Sequence, residues 1–291
     1  MKTQRGFRGR AGAASILSAV LAFACGCRPG PPVASLRISP ATVRLGYPES
    51  APLHFDWSPT AALGNGGTPT VFVHLLDERR GVRRTFDHPF PEAWAAGKPV
   101  SYDLELYQSA LGAALPPGQY AVTAGLYDPS SGNRWALDAG GIELGRREYR
   151  VGTVEVPAPA PASAPRFDFS GEWGPLEPDP SVQILARRRL HGPASLRFAA
   201  RPGAPGKVRL ALTVHGAALA VESDCAPGAE GRLEPGYHWL GFDLNASGTC
   251  AIRFPDVRSR VNGPAESLDA AARHAEPATS LDVAAWRPPG R

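Results

Sequence analysis

The stretch LPPGQYAVTAGLYDPSSGNRWAL, Leu115–Leu137, decides the fold class. Tyr120, Val122, Ala124 and Leu126 place a large or apolar group at every second position, with Ala121, Thr123 and Gly125 between them. A strand sends alternate side chains to opposite faces, whereas a helix repeats every three to four residues. The run is entered through Pro117-Gly118 and left through Asp128-Pro129-Ser130-Ser131-Gly132, residue types that favour tight turns. The stretch therefore predicts a half-buried strand between two turns.

Working outward, the same period recurs. Leu53, Phe55 and Trp57 alternate with polar neighbours; Val71, Val73 and Leu75 form one face of a strand, with Phe72, His74 and Leu76 on the other. Tyr149, Val151 and Thr153 begin a last alternation, and Asn65-Gly66-Gly67 marks another break. Short strands with turns between them predict a β-sandwich over residues 35–156. The segments VFVHLLDERRG (Val71–Gly81), DHPFPEAW (Asp87–Trp94) and Leu115–Leu137 together resemble the immunoglobulin-like accessory domain of bacterial membrane glycosyltransferases. One departure is the turn, where ERRG stands in place of a short Asp-Gly. The resemblance implies a β-sandwich and brings no catalytic residue, because the enzyme of that family resides in a membrane domain absent from this pattern.

Residues 157–165 (PAPAPASAP) alternate Pro with small residues, the composition of a semi-rigid extended linker. Beyond it, residues 166–291 are again β-like. Val208–Val214 alternates cleanly, and Tyr237–Phe242 and Ala251–Phe254 read as later strands. The Glu172–Glu177 opening and the late Gly-x-x-x-Leu-x-Phe pattern resemble jelly-roll domains that bind carbohydrate. An Ala-rich stretch, Leu268–His274, predicts a helical turn, and a strand is expected near Ser280–Trp286. The expected fold class is all-β, with two β-sandwich domains.

At the N-terminus, Lys2, Arg5, Arg8 and Arg10 precede an uncharged run, Ala11–Ala24. That run falls short of the about 20 apolar residues needed to span a bilayer and fits a secretory signal, residues 1–24. It ends Leu21-Ala22-Phe23-Ala24-Cys25-Gly26-Cys27, which resembles the lipobox of bacterial lipoproteins. The resemblance implies acylation at Cys25, with Cys27 or ordinary cleavage after Ala24 as alternatives. It also implies a tether over residues 25–34 and, since no Asp follows Cys25, sorting to the outer membrane. The formal net charge of +4 is matched by the four basic residues of the signal, which leaves the mature chain neutral. No electrostatic footprint for nucleic acid remains. Cys225 and Cys250, in an oxidising compartment, are expected to form a disulfide.

Candidate chemistry is sparse. His74, Asp77, Asp87 and His88 form one polar group whose meeting could serve a metal, or else a strand histidine beside a structured turn. Glu172 and Glu177 could act as a glycosidase pair, or stand solvated near turns. Trp173, Tyr237 and Trp239 are the candidate ligand-binding residues, able to stack on sugar rings or to fill a core, with His238 on the opposite strand face. Asn245-Ala246-Ser247 reads as the start of a turn. No nucleophile elbow, phosphate loop, metal motif or cofactor signature appears. The expected role is a non-enzymatic envelope lipoprotein that binds or scaffolds a protein or glycan partner, with an accessory or weak hydrolytic enzyme on envelope glycans as the alternative.

Overall fold

The computed structural model describes residues 30–64, 67–158, 165–178, 186–225, 231–257 and 279–289. The signal, Cys25, Cys27, most of the Pro/Ala linker and the Leu268–His274 stretch lie outside the described residues. The fold is all-β: every regular element among the described residues is a strand. In the N-terminal half these are β1 (Ala34–Ser39), β2 (Thr42–Arg44), β3 (Ser50–Pro59), β4 (Thr70–Leu76), β5 (Val82–Thr85), β6 (His88–Pro89), β7 (Val100–Tyr107), β8 (Gly118–Tyr127), β9 (Arg134–Trp135), β10 (Leu137–Asp138), β11 (Ile142–Gly145) and β12 (Glu148–Val156). In the C-terminal half they are β13 (Arg166–Pro178), β14 (Ala186–Ala199), β15 (Lys207–Val214), β16 (Leu219–Ser223), β17 (Gly231–Leu233), β18 (Gly236–Asp243), β19 (Thr249–Phe254) and β20 (Ser280–Arg287).

The N-terminal half stacks two sheets. One has the order β10-β1-β3-β7 and the other β11-β12-β8-β4-β5, with β2, β6 and β9 attached to β12, β4 and β8. The alternations dictate which faces meet. Leu53, Phe55 and Trp57 from the first sheet bury against Val71, Val73, Leu75, Tyr120, Val122 and Leu126 from the second, in one apolar core. The C-terminal half forms a sheet of order β17-β16-β19-β14-β20-β15-β18, with β13 along β14. The long strand β14 connects its two parts: Arg188 and Arg189 pair with β20, while Ala194–Ala199 pair with β19. The sheet thereby wraps a second core that includes Leu196, Phe198, Val208, Leu210, Leu212, Ile252 and Phe254.

The two halves belong to one compact unit, Pro31–Arg291. The loop after β7 is pinned by its own half: buried Gln108 donates to Leu45 O and accepts from Leu115 N, and Arg84 donates to Ala113 O. From this loop Leu111 enters the core of the C-terminal half, where it is 4% exposed. Strand β20 answers from the other side. Ala110 N donates to Ala284 O at 2.7 Å, and Trp286 N donates to Pro48 O at 2.9 Å. Tyr107 packs on Trp239 with ring centroids 5.5 Å apart, over Ala211, Val283 and Ala285. Glu105, 10% exposed at its side chain, receives Arg287 at 2.9 Å and Arg209 at 3.3 Å. A carboxylate this buried requires such partners, because desolvating an unpaired charge costs several kcal/mol, at least ~3.

Candidate functional site

The segments that carry the accessory-domain resemblance converge on the outer face of the β4–β8–β12 sheet. Phe72 and His74 point outward from β4, beside Thr123 and Gly125 of β8, which pair with His74 and Phe72 respectively. Although Phe72 faces away from the core, it is fully buried. Arg134 lies over its ring, 4.1 Å from the centroid, and Gly125 leaves the space that the ring fills. A Cβ on Gly125 would overlap the ring edge and lie 2.8 Å from Arg147 O. Asp128 shapes the turn that brings Arg134 back, accepting from Ser130 N at 2.9 Å and from the hydroxyls of Ser130 and Ser131. Gly132 follows at φ 71, a left-handed conformation that disfavours other residues.

Glu148, the first residue of β12, completes the group. Its Oε1 accepts from Thr123 Oγ1 at 2.6 Å and lies 3.2 Å from His74 Nδ1, while Arg134 reaches Oε2 at 3.6 Å. An ionised carboxylate only accepts, so Nδ1 is the protonated nitrogen in this pairing. The hydrogen bond from His74, assisted by the one from Thr123 and by the charge of Arg134, holds the Glu148 carboxyl down at about 2. On the other side of the ring, His74 Nε2 stands 3.6 Å from Asp87 Oδ1. Burial pushes the Asp87 carboxyl up, against the opposing pull of His74 and a hydrogen bond from Val73 N. The two carboxylates thus occupy opposite nitrogens of one imidazole and do not share an open point between them. Among the described residues no group of three or more His, Cys, Asp or Glu is arranged to hold a metal ion.

The rest of the expected polar group disperses. Asp77 closes its own turn, accepting from Arg79 N, Gly81 N and Arg83 Nε at 2.7 to 2.9 Å. His88 turns inward: Nδ1 bonds Phe86 O at 2.9 Å, and Nε2 lies 2.7 Å from the Tyr102 hydroxyl. A carbonyl cannot donate, so Nδ1 carries the proton and Nε2 accepts from Tyr102. Burial lowers the His88 pKa and raises that of Tyr102, which keeps this pair neutral. Glu148 and Arg134 were not among the sequence candidates. Arg134 sat in a quoted motif, but nothing in spacing links Glu148 to a histidine 74 positions away.

The aromatic candidates also part. Trp173 on β13 donates its indole N–H to Ser195 O at 2.9 Å and meets Phe169 and Phe254 edge to face. Tyr237 and Trp239 share a face of β18, beyond β20 and β15 from the β13–β14 pair. Trp239 is taken up by Tyr107 and by Arg209, whereas Tyr237 remains 55% exposed. His238, on the opposite face, bonds Glu234 O. Glu177 is engaged by Arg189 at 2.8 Å, which lowers its pKa, while Glu172 stands beside Gly192. Asn245 opens a turn by accepting from Ser247 N and Thr249 N. Cys225 and Cys250 form a disulfide with Cα atoms 4.7 Å apart, joining the end of β16 to β19.

No protein-family model matches this sequence, and no curated protein matches it. Among solved structures, the native conformation of E. coli alpha-2-macroglobulin is similar over 79% of this chain and 12% of that one, with 13% identity and a TM-score of 0.26. This chain therefore spans about an eighth of that protein's length, and a likeness of this size carries no argument about its role.

Proposed function

We propose that this chain is a non-enzymatic, lipid-anchored protein of the cell envelope whose two β-rich halves act together as a scaffold for a protein or glycan partner. The observation that carries the reading is the junction. Leu111 from one half completes the other's core, and Glu105 is shared with two arginines across the contact. Such contacts hold two surfaces at a set relation, which suits presentation of a partner. The lipobox-like Ala24-Cys25-Gly26 supplies the anchor in this reading, and the accessory-domain resemblance of Val71–Leu137 fits a non-catalytic role. The His74–Glu148 group supports it too, since its side chains are bonded to one another and two of them, His74 and Arg134, pack on Phe72.

The test has two arms. Fatty-acid labelling should be lost in Cys25→Ser; undiminished labelling would move the anchor to Cys27. A photo-crosslinking residue at Tyr237, compared with one at exposed Ile142, should capture a defined envelope protein or glycan. Turnover of envelope glycans by the mature protein, lost in a folded His74→Ala variant, would instead establish the hydrolytic alternative.

A further inference from the structure

We infer that the free edge of β18 pairs with the same edge of a second copy of this chain, so that two chains share one antiparallel sheet. The inference goes beyond the reading above and is independent of the anchor. Its basis is the direction of the backbone groups. Gly206 and Leu244 continue the β15–β18 register one step past Lys207 and Asp243, and Leu244 N donates to Gly206 O. Antiparallel pairs alternate between those that exchange hydrogen bonds and those that do not. Gly206–Leu244 is therefore a bonded pair, and so are Val208–Phe242, Leu210–Leu240, Leu212–His238 and Val214–Gly236. The residues between them on β18, namely Tyr237, Trp239, Gly241 and Asp243, turn their N–H and C=O groups away from β15. Strand β18 ends its sheet, and among the described residues nothing bonds the backbone of Trp239, Gly241 or Asp243 on that side. Tyr107 and Arg209 meet Trp239 through its ring.

An exposed row of backbone donors and acceptors is a template for further pairing, and folded proteins block it with short strands, charges, prolines or bulges. The other strands that end a sheet or hang on its side are blocked in these ways. β2, β5, β6, β9, β10, β11 and β17 have four residues or fewer. On β7, where Gln108 N donates to Glu49 O, the same alternation turns the backbone groups of two charged residues, Asp103 and Glu105, towards the free side. β13 carries two register shifts against β14 and contains both Pro175 and Pro178. β18 has none of these devices. It keeps register with β15 over all eight residues, contains no proline, and is charged only at its last residue, Asp243.

The edge is self-complementary. Two identical strands related by a two-fold axis pair antiparallel, with every contact made twice. Each bonded pair must join two of the outward residues. With Leu240 facing its own copy at the axis, Trp239 lies opposite Gly241 and Tyr237 opposite Asp243. Four bonded pairs then form, about eight hydrogen bonds. This register sets the large indole beside the residue that has no side chain. It brings together two Leu240 side chains, each packed at the margin of a C-terminal core. It also keeps like charges apart. The two Asp243 carboxylates stand at opposite ends, six residue steps or about 20 Å from each other, beyond a Debye length of about 8 Å.

Sedimentation equilibrium of the full, processed protein in detergent should show a reversible dimer. Gly241→Pro removes an outward N–H and leaves the bonds of Leu240 and Phe242 to β15, so it should give a monomer. If that variant does not fold, exposed position 237 still decides. Tyr237→Asp sets two like-charged pairs against Asp243 of the second copy, whereas Tyr237→Lys loses the same ring and sets two opposite-charged pairs. The dissociation constant of the Asp variant should exceed that of the Lys variant at least about threefold. A wild-type chain that stays monomeric, a dimer unchanged by Gly241→Pro, or equal dissociation of the two charge variants overturns the inference. So does a photo-crosslinker at position 241 that captures a strand of a different protein in place of this chain.

Discussion

Leu111→Ala should destabilise the half of the protein to which Leu111 does not belong in sequence. Its side chain is 4% exposed and lies among Leu190, Leu196, Phe198 and the other core residues of the C-terminal half. Truncating a buried Leu to Ala costs roughly 2 to 5 kcal/mol, from lost transfer energy and the cavity left behind. Against a total stability of about 5 to 15 kcal/mol, that loss is large. At 2 to 4 °C per kcal/mol for a unit of this size, the melting midpoint should fall by at least about 4 °C. Leu115→Ala provides the contrast, because Leu115 sits four positions along the same loop but packs in the core of the N-terminal half. Hydrogen exchange read by mass spectrometry separates the two outcomes. Leu111→Ala should lower protection in β15 and β19 as its primary effect, and any loss in β8 then measures how strongly the junction couples the halves. If protection of β15 and β19 changed by less than about 0.5 kcal/mol, the packing of Leu111 assigned here would be refuted.

Three further outcomes are expected. The Glu148 carboxyl, held at about 2 against an ordinary value of 4.5, contributes stability that is present above pH 4.5 and lost as the pH falls towards 2; Glu148→Gln should remove that part of the acid sensitivity in a pH series of thermal melts. Gly125→Ala should displace Phe72 and cost about 1 to 3 kcal/mol in chemical denaturation, as an overpacked site does. Replacing Cys225 and Cys250 together by Ala should cost roughly 3.5 kcal/mol for the 25-residue separation on the loop-entropy account, and counting thiols on the denatured, unreduced protein should find neither of these two free.

What could be read in advance was whatever a two-residue period encodes. Leu53, Phe55 and Trp57, and then Val71, Val73 and Leu75, are the inward faces of β3 and β4. Period alone put Phe72 on the face opposite Val71 and Val73 and did not reveal its burial, because burial on that face depends on a later excursion of the chain. Residues 128–147 return over β4 and β8, and Arg134 covers the ring. Gly125 is the residue that records this, being the one place where the covering side of β8 must lack a Cβ, but a glycine in a strand reads equally as a weak point.

The junction was illegible for a different reason. Glu105, Arg209 and Arg287 are each unremarkable in their own strands, and the contact closes over 182 positions of sequence. Trp239 shows the consequence most clearly. Its alternation with Tyr237 correctly placed both on one face of β18, yet one is covered by Tyr107 and the other is exposed. The difference lies in the docking of another sheet and not in the strand that bears them. A strand's own pattern reveals which residues share a face; whether that face meets water, a ligand or the other half of the chain is decided by long-range contacts. For that reason the aromatic that sequence offered as one of a pair, Tyr237, is the member whose replacement by Ala tests a binding role, since it is the one that remains 55% exposed.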